Sequence, residues 1–323
     1  MRFQFLNKGR ALAIWASLLI ASGCVQPPAV SGLQPELPRH EMLLAHHADG
    51  ERTNYDIWRM CGDGTQLASL LSAPGTQFQI AISPDGEEFV YSSKADEQWE
   101  LYRKRFDDGV AVNITENPAN DSQPAWSPDG RYIVFSSNRD SAQLQLYLLD
   151  LETNQTLRVT NNEFYDSGAT FSPDGTLIAF TRYFAADAAA YRDGTGDIFV
   201  YDRSTGIERQ LTKLGGYSGG VRFAPGGDVM AFHRVADGHS EIWSMGADGS
   251  RPHPVTDTQI DEYSPEWSPD GNWLAITAGT GNDSMGTFDI WLMRPDGSHR
   301  QLLNNAPNTQ AWQVWRPGAH TCR

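Results

Sequence analysis

From about residue 42 onward, apolar positions fall in short runs of β-branched and aromatic residues separated by clusters of Gly, Pro, Asp and Ser. Long helical periodicity is hard to find, so the pattern reads as strands and turns. The clearest unit is Trp126-Ser127-Pro128-Asp129-Gly130 followed by Tyr132-Ile133-Val134-Phe135-Ser136-Ser137. It predicts a strand ending in an aromatic, a type I turn and a second strand. Pro presets φ, the Ser hydroxyl can bond the backbone ahead, and Gly absorbs the exit angle.

The unit recurs as Ile82 to Gly86, Phe171 to Gly175 and Trp267 to Gly271, with two worn copies, Phe223 to Gly227 and Trp315 to Gly318. The turn prolines at 84, 128, 173, 225, 269 and 317 are spaced by 44, 45, 52, 44 and 48 residues. Such a period with four strand-like runs per repeat predicts an all-β chain, a six-bladed β-propeller. Third strands are expected at Asp56–Met60, Glu100–Arg103, Gln145–Leu148, Asp197–Val200, Glu241–Ser244 and Asp289–Leu292. Met42 to Gly50 aligns without gaps to Met230 to Gly238, yet no turn precedes Met42. Its inner strand is expected from Trp312 to Arg316, so a composite N-/C-terminal blade closes the ring and leaves no open seam. Two long loops, Tyr183 to Gly196 and Gly279 to Thr287, account for the longer intervals.

The repeats fill most of the 323 residues, and the formal net charge is −15. That charge argues against nucleic acid as a partner and against docking on anionic lipid through a basic surface. Residues 1–23 read as an export signal: Arg2, Lys8 and Arg10 precede an apolar core from Ala11 to Ile20, too short to span a bilayer comfortably. Ile20-Ala21-Ser22-Gly23-Cys24 resembles a bacterial lipobox, with Cys24 as the lipidated residue and Ala21 where Leu is usual. An ordinary secretory signal is the alternative. Residues 24–40 carry four prolines and read as a tether, leaving 41–323 for the propeller.

Cys61 and Cys322 remain. Cys61 ends a third strand and Cys322 follows the inner strand of the same composite blade. Both are expected on one face, roughly 9–10 Å apart before the tail bends back. Either a disulfide latches the ring or two thiols stay unpaired.

Aromatic-Ser-Pro-Asp-Gly, a strand with Phe-Ser-Ser, then Asp-Ile-Trp and Arg-Gln-Leu-Thr resemble the WD-like repeats of the TolB propeller family over about residues 41–318. The resemblance implies a propeller that binds a protein in the bacterial envelope. TolB also carries an N-terminal α/β domain, where this chain has only the short tether. The repeat motifs specify scaffold, so partner contacts do not carry over on them.

Two candidate sites follow. Gly216-Tyr217-Ser218-Gly219-Gly220 matches the G-x-S-x-G pattern of a serine hydrolase, but it precedes an inner strand rather than a helix, and the repeat itself accounts for it. The stronger candidate is the start of the inner strands, where Asp121, Asp166, Asp261 and Glu262, with Gln77 and Gln310, are expected around the channel mouth. Such a ring could bind a cation, a polyol or a basic peptide end; turn capping is the plain alternative. No cofactor and no metal site is expected, since the eight histidines are scattered and the runs Asp193–Asp197 and Gly279–Asp283 lack calcium-loop spacing. The expected role is a lipid-anchored envelope module, more an interaction protein than an enzyme, facing the periplasm or exterior and probing an envelope protein or a cell-wall or glycan component. A propeller hydrolase or lyase acting on peptides or sugars is the alternative.

Overall fold

The computed structural model describes residues 36–47, 54–94, 97–107, 109–184, 195–279, 288–303, 310–318, 320 and 322. The expected signal segment, Cys24, most of the tether and most of both long loops lie outside them. Every strand belongs to one compact unit, Leu37–Arg323.

Among the described residues, twenty-four strands form six four-stranded antiparallel blades. Blade 1 runs from β4 (Thr76–Ile82) to β7 (Ala111–Asn113), blade 2 from β8 (Asp121–Trp126) to β11 (Gln155–Arg158), and blade 3 from β12 (Tyr165–Phe171) to β15 (Glu208–Gln210). Blade 4 runs from β16 (Tyr217–Phe223) to β19 (His253–Pro254), and blade 5 from β20 (Asp261–Trp267) to β23 (Gln301–Leu302). The sixth blade joins the two ends of the unit, in the order β24 (Gln310–Trp315), β1 (Glu41–His46), β2 (Asp56–Cys61), β3 (Ala68–Leu71). The innermost strands β4, β8, β12, β16, β20 and β24 touch in cyclic order, with β24 against β4. Blades 3 and 4 share one parallel bridge, Gly196 to Tyr217.

Blades hold together through six apolar clusters, one between each adjacent pair. Val90, Leu101, Ile133, Phe135 and Tyr147 join blades 1 and 2, for example, and Met42, Leu44, Met60, Trp273, Ala275 and Ile290 join the composite blade to blade 5. Alternate residues of each middle strand feed opposite clusters, so both faces of a blade are buried.

The repeated turn works as its residues suggest. The Ser hydroxyls donate to the Asp carboxylates of the same turn, at 2.6 Å for Ser83–Asp85, Ser172–Asp174 and Ser268–Asp270, and likewise for Ser127–Asp129. Gly86, Gly130, Gly175 and Gly271 close the turn with φ of 71–75°. Where an inner strand ends in Trp, the indole Nε1–H crosses to the preceding blade: Trp126 to Ala81 O at 3.2 Å, Trp267 to Arg222 O and Trp315 to Glu266 O at 3.3 Å. The turn motif therefore also stitches blades.

Near the ring closure, Cys61 and Cys322 are joined by a disulfide with a Cα separation of 5.8 Å. That is shorter than two strand spacings because the tail folds back over residues 39–41, with Cys322 N–H donating to Arg39 O and Glu41 N–H to His320 O. Arg316 adds an ion pair to Glu41 at 2.6 Å and a hydrogen bond to Gly86 O at 2.7 Å.

Candidate functional site

Each inner strand contains a bulge with one residue in the left-handed region: Gln79, Gln123, Gly168, Gly220, Ser264 and Trp312, with φ of 51–65°. Opposite it, two residues face one on the neighbouring strand, as between Phe78 and Ala81 in β4. These six residues surround a central cavity of about 310 Å³. At its end nearest the strand starts lies a second cavity of about 470 Å³, sharing Gln79, Gln123, Ser167 and Tyr183 with the first.

The residues expected around the mouth correspond by strand register, Asp261 apart, and the structure puts them elsewhere. Gln77, Asp121, Asp166, Glu262 and Gln310 are all fully buried, and neither cavity is lined by any of them or by Asp261. Asp166 accepts Arg182 Nε and Nη2 at 2.7 and 2.8 Å and Asn162 Nδ2 at 2.8 Å. Asp121 accepts Arg139 Nη2 and Asn117 Nδ2, both at 2.8 Å. Glu262 pairs with Arg300 at 2.6 Å; burial raises its carboxyl above the usual range, against the pull of Thr256, Thr258 and Arg300. Gln77 donates to Gly75 O at 2.7 Å, and Asp261 accepts Ser240 N–H at 3.0 Å beside His239. The Gln310 side-chain amide has no hydrogen-bond partner among the described residues. Asp121, Asp166 and Glu262 are therefore each paired with a buried or half-buried arginine and Asp261 with His239, and none of the six residues lines either cavity.

Ser218 occupies the same repeat position. It is buried, its Oγ has no hydrogen-bond partner among the described residues, and its φ is not left-handed, so no base addresses it and no strained elbow presents it. The glycines beside it serve packing. A Cβ on Gly219 would lie 2.1 Å from the Tyr217 hydroxyl, and one on Gly220 would lie 2.6 Å from His233 Nδ1.

The mouth is instead aromatic and amide-rich. Trp312, at φ 51° and 37% exposed, contacts Tyr55 and Phe78 with ring centroids 5.5 and 5.0 Å away, and Phe78 meets Trp99 at 4.6 Å. Trp312 shares its left-handed φ with the bulge residues of the other five inner strands and differs from them in bulk and exposure. Across the opening Tyr183 and Tyr217 share a 2.8 Å hydroxyl contact. Sequence reasoning passed over these residues because they sit at different repeat positions; the signal available was Trp312 standing where sister repeats carry Gln, Gly or Ser.

Deeper in the channel, Arg222 and Glu266 occupy one repeat position in neighbouring blades, where the others carry Ala81, Ala125, Thr170 and Val314, and they pair at 2.7 Å. Burial raises the Glu266 carboxyl, opposed by Arg222. Burial, with Arg222 adding to it, pushes His233 down to about 3, so its ring is neutral. Among the described residues no cluster of three or more His, Cys, Asp or Glu is arranged to hold a metal ion.

The fold defines a six-bladed β-propeller with two axial cavities. Residues 63–187 match the family described as the TolB β-propeller domain. An uncharacterized protein of Agrobacterium fabrum is 30% identical over 193 residues, 60% of this chain and 52% of that protein. The chain thus spans about half the length of that curated relative. The crystal structure of TolB from Acinetobacter baumannii superposes with TM-score 0.74 at 24% identity, covering 86% of this chain and 67% of that one. An oligogalacturonate lyase in complex with manganese superposes with TM-score 0.55 at 16% identity, covering 84% and 75%. At these identities the two structures show the shared fold. Its repeats resemble those of the TolB β-propeller domain.

Proposed function

We propose that this protein is a binding module of the bacterial cell envelope that takes its partner or ligand at the aromatic channel mouth. The observation that carries the reading is the convergence of all six inner strands on an open axial cavity crowned by Trp312, Phe78 and Trp99. The signal-like residues 1–23 and the lipobox-like run leading to Cys24 support placement in the envelope on a lipid anchor, with the outer membrane the favoured site and an envelope protein or a cell-wall or glycan component the partner. Crosslinked capture from envelope, compared between the natural chain and Trp312→Ala, tests it. Partners recovered by the first and lost by the second are expected; equal recovery would remove the mouth from the proposal.

A second reading, lyase or hydrolase chemistry on a sugar or peptide, draws on Glu266, a partly buried carboxyl in the channel that desolvation raises while its ion pair with Arg222 opposes the rise. Turnover of a small substrate with no partner captured would put this reading first.

A further inference from the structure

The mouth cavity names a ligand chemistry. Its described lining is Phe78, Gln79, Trp99, Asn120, Ser122, Gln123, Asn138, Ala142, Leu144, Tyr165, Ser167 and Tyr183, none of them charged, in a chain where 20% of residues are. Four are aromatic and four are carboxamides. Each carboxamide has its orientation set by the protein. Gln79 Oε1 accepts Ser92 Oγ–H and Gln123 N–H, both at 3.1 Å. One blade on, Gln123 Oε1 accepts Ser136 Oγ–H at 3.1 Å and Gly168 N–H at 3.0 Å. Asn120 Oδ1 accepts Trp99 N–H at 3.1 Å, and Asn138 Oδ1 accepts Asn120 N–H at 2.8 Å.

Backbone N–H groups only donate, so these amides cannot be flipped: the oxygen must face the backbone. Their NH₂ groups point away from those bonds, and none has a protein acceptor among the described residues. The cavity is therefore a cluster of N–H donors framed by aromatic faces, with no charged side chain among the described lining. A ligand that fits must be rich in neutral oxygen acceptors and carry flat C–H faces to stack on rings. Sugar rings with hydroxyl, ring and acetamido oxygens have both properties. The lining itself carries no counter-charge for an acidic or basic peptide, Lys94 Nζ standing outside it at 6.0 Å from the Trp99 ring centroid, and a peptide backbone brings as many donors as acceptors.

We infer that the mouth cavity binds an uncharged glycan segment, its rings stacked on Trp99, Phe78 and Tyr165 and its oxygens held by the amides of Gln79, Gln123, Asn120 and Asn138. The inference rests on the mouth-binding reading above and gives that site a ligand class.

The test titrates the full chain with neutral hexasaccharides of N-acetylglucosamine, β-linked glucose and α-linked glucose, and with hexagalacturonate as the anionic counterpart, following tryptophan fluorescence and calorimetry. Saturable binding of at least one neutral oligomer, with hexagalacturonate weaker, is expected. Gln123→Glu is the diagnostic variant, because it keeps the Oε1 acceptor for Gly168 N–H and replaces only the donor. It is expected to leave the melting temperature near that of the natural chain while lowering neutral-glycan affinity about tenfold or more. Unchanged affinity in Gln123→Glu would overturn the assignment, as would preference for the anionic oligomer or the absence of saturation at millimolar concentration. If envelope capture depends on Trp312 and no glycan binds, the glycan inference fails and the mouth-binding reading stands. If capture ignores Trp312, both fall.

Discussion

At the scale of single residues, the same side-chain chemistry is used for very different ends according to where it faces. Gln79 and Gln123 staple one blade to the next through their oxygens and keep their NH₂ groups for the cavity. Asp166 and Asp121, two residues before the bulge position, are sealed inside with arginines. Breaking such a pair costs far more than the pair contributes, because it strands a buried charge. Arg182→Met is expected to destabilise the fold by about 3–5 kcal/mol, read as a lowered urea midpoint, while Arg182→Met with Asp166→Leu recovers most of the loss. If Asp166 instead served a ligand at the mouth, the double variant would be stable and lose binding; retention of binding is the expected result. The turn residues were plainly legible: Ser, Pro, Asp and Gly act on their immediate neighbours. So was the aromatic before them, although its Trp indole bond to the previous blade was not.

At the scale of elements, blade 4 departs most from its sisters. Gly219 and Gly220 leave out side chains where the other inner strands, Gly168 apart, carry them, and His233 fills the space beside Tyr217 and Tyr263, with ring centroids at 5.5 and 5.3 Å. The resemblance of this stretch to a hydrolase motif arises from that substitution of ring for backbone space. The exchange has a pH signature. His233 sits at about 3 in the folded protein, below the 6.5 of a free imidazole, so the unfolded chain binds the extra proton. Its contribution is fully present above about pH 6.5 and is lost as pH falls toward 3, by up to about tenfold in the folding equilibrium per unit. Glu262 and Glu266, raised by burial, act in the opposite sense: their contribution is present below the carboxylate's ordinary range and is lost as pH rises through the folded value. The clean measurement is therefore a comparison of urea unfolding at pH 7, 6 and 5 between the natural chain and His233→Phe. The variant should lose less stability on acidification; parallel curves would show that the His233 imidazole has the same pKa in the folded and unfolded chain.

At the scale of the whole molecule, a ring must be closed where the chain begins and ends, and three devices meet there: the β24–β1 ladder, the Arg316 contacts to Glu41 and Gly86, and the Cys61–Cys322 disulfide. The bond links residues 261 apart in sequence, so it removes much freedom from the unfolded chain. Reduction, or Cys322→Ser, is expected to lower stability by about 2–4 kcal/mol, seen as a lower melting temperature in reducing buffer. Equal melting with and without reductant, or two free thiols by mass spectrometry, would show that the ladder alone holds the ring.

What the sequence determined by itself was everything carried by short-range interactions repeated at a fixed period: the turns, the strands between them, the blade count implied by six copies, and the offset of Met42 that demands a composite blade. The site was not legible in that way. Regular alternation would place residues 77 and 79 of an inner strand on one face, and the bulge at 79 inserts an extra residue that breaks the alternation. Only the tertiary structure decides which of the two sees the channel. It buries Gln77, Asp121, Asp166 and Glu262 and turns Gln79, Gln123 and Trp312 toward the axis, because φ at those positions is set by packing six strands around a common centre.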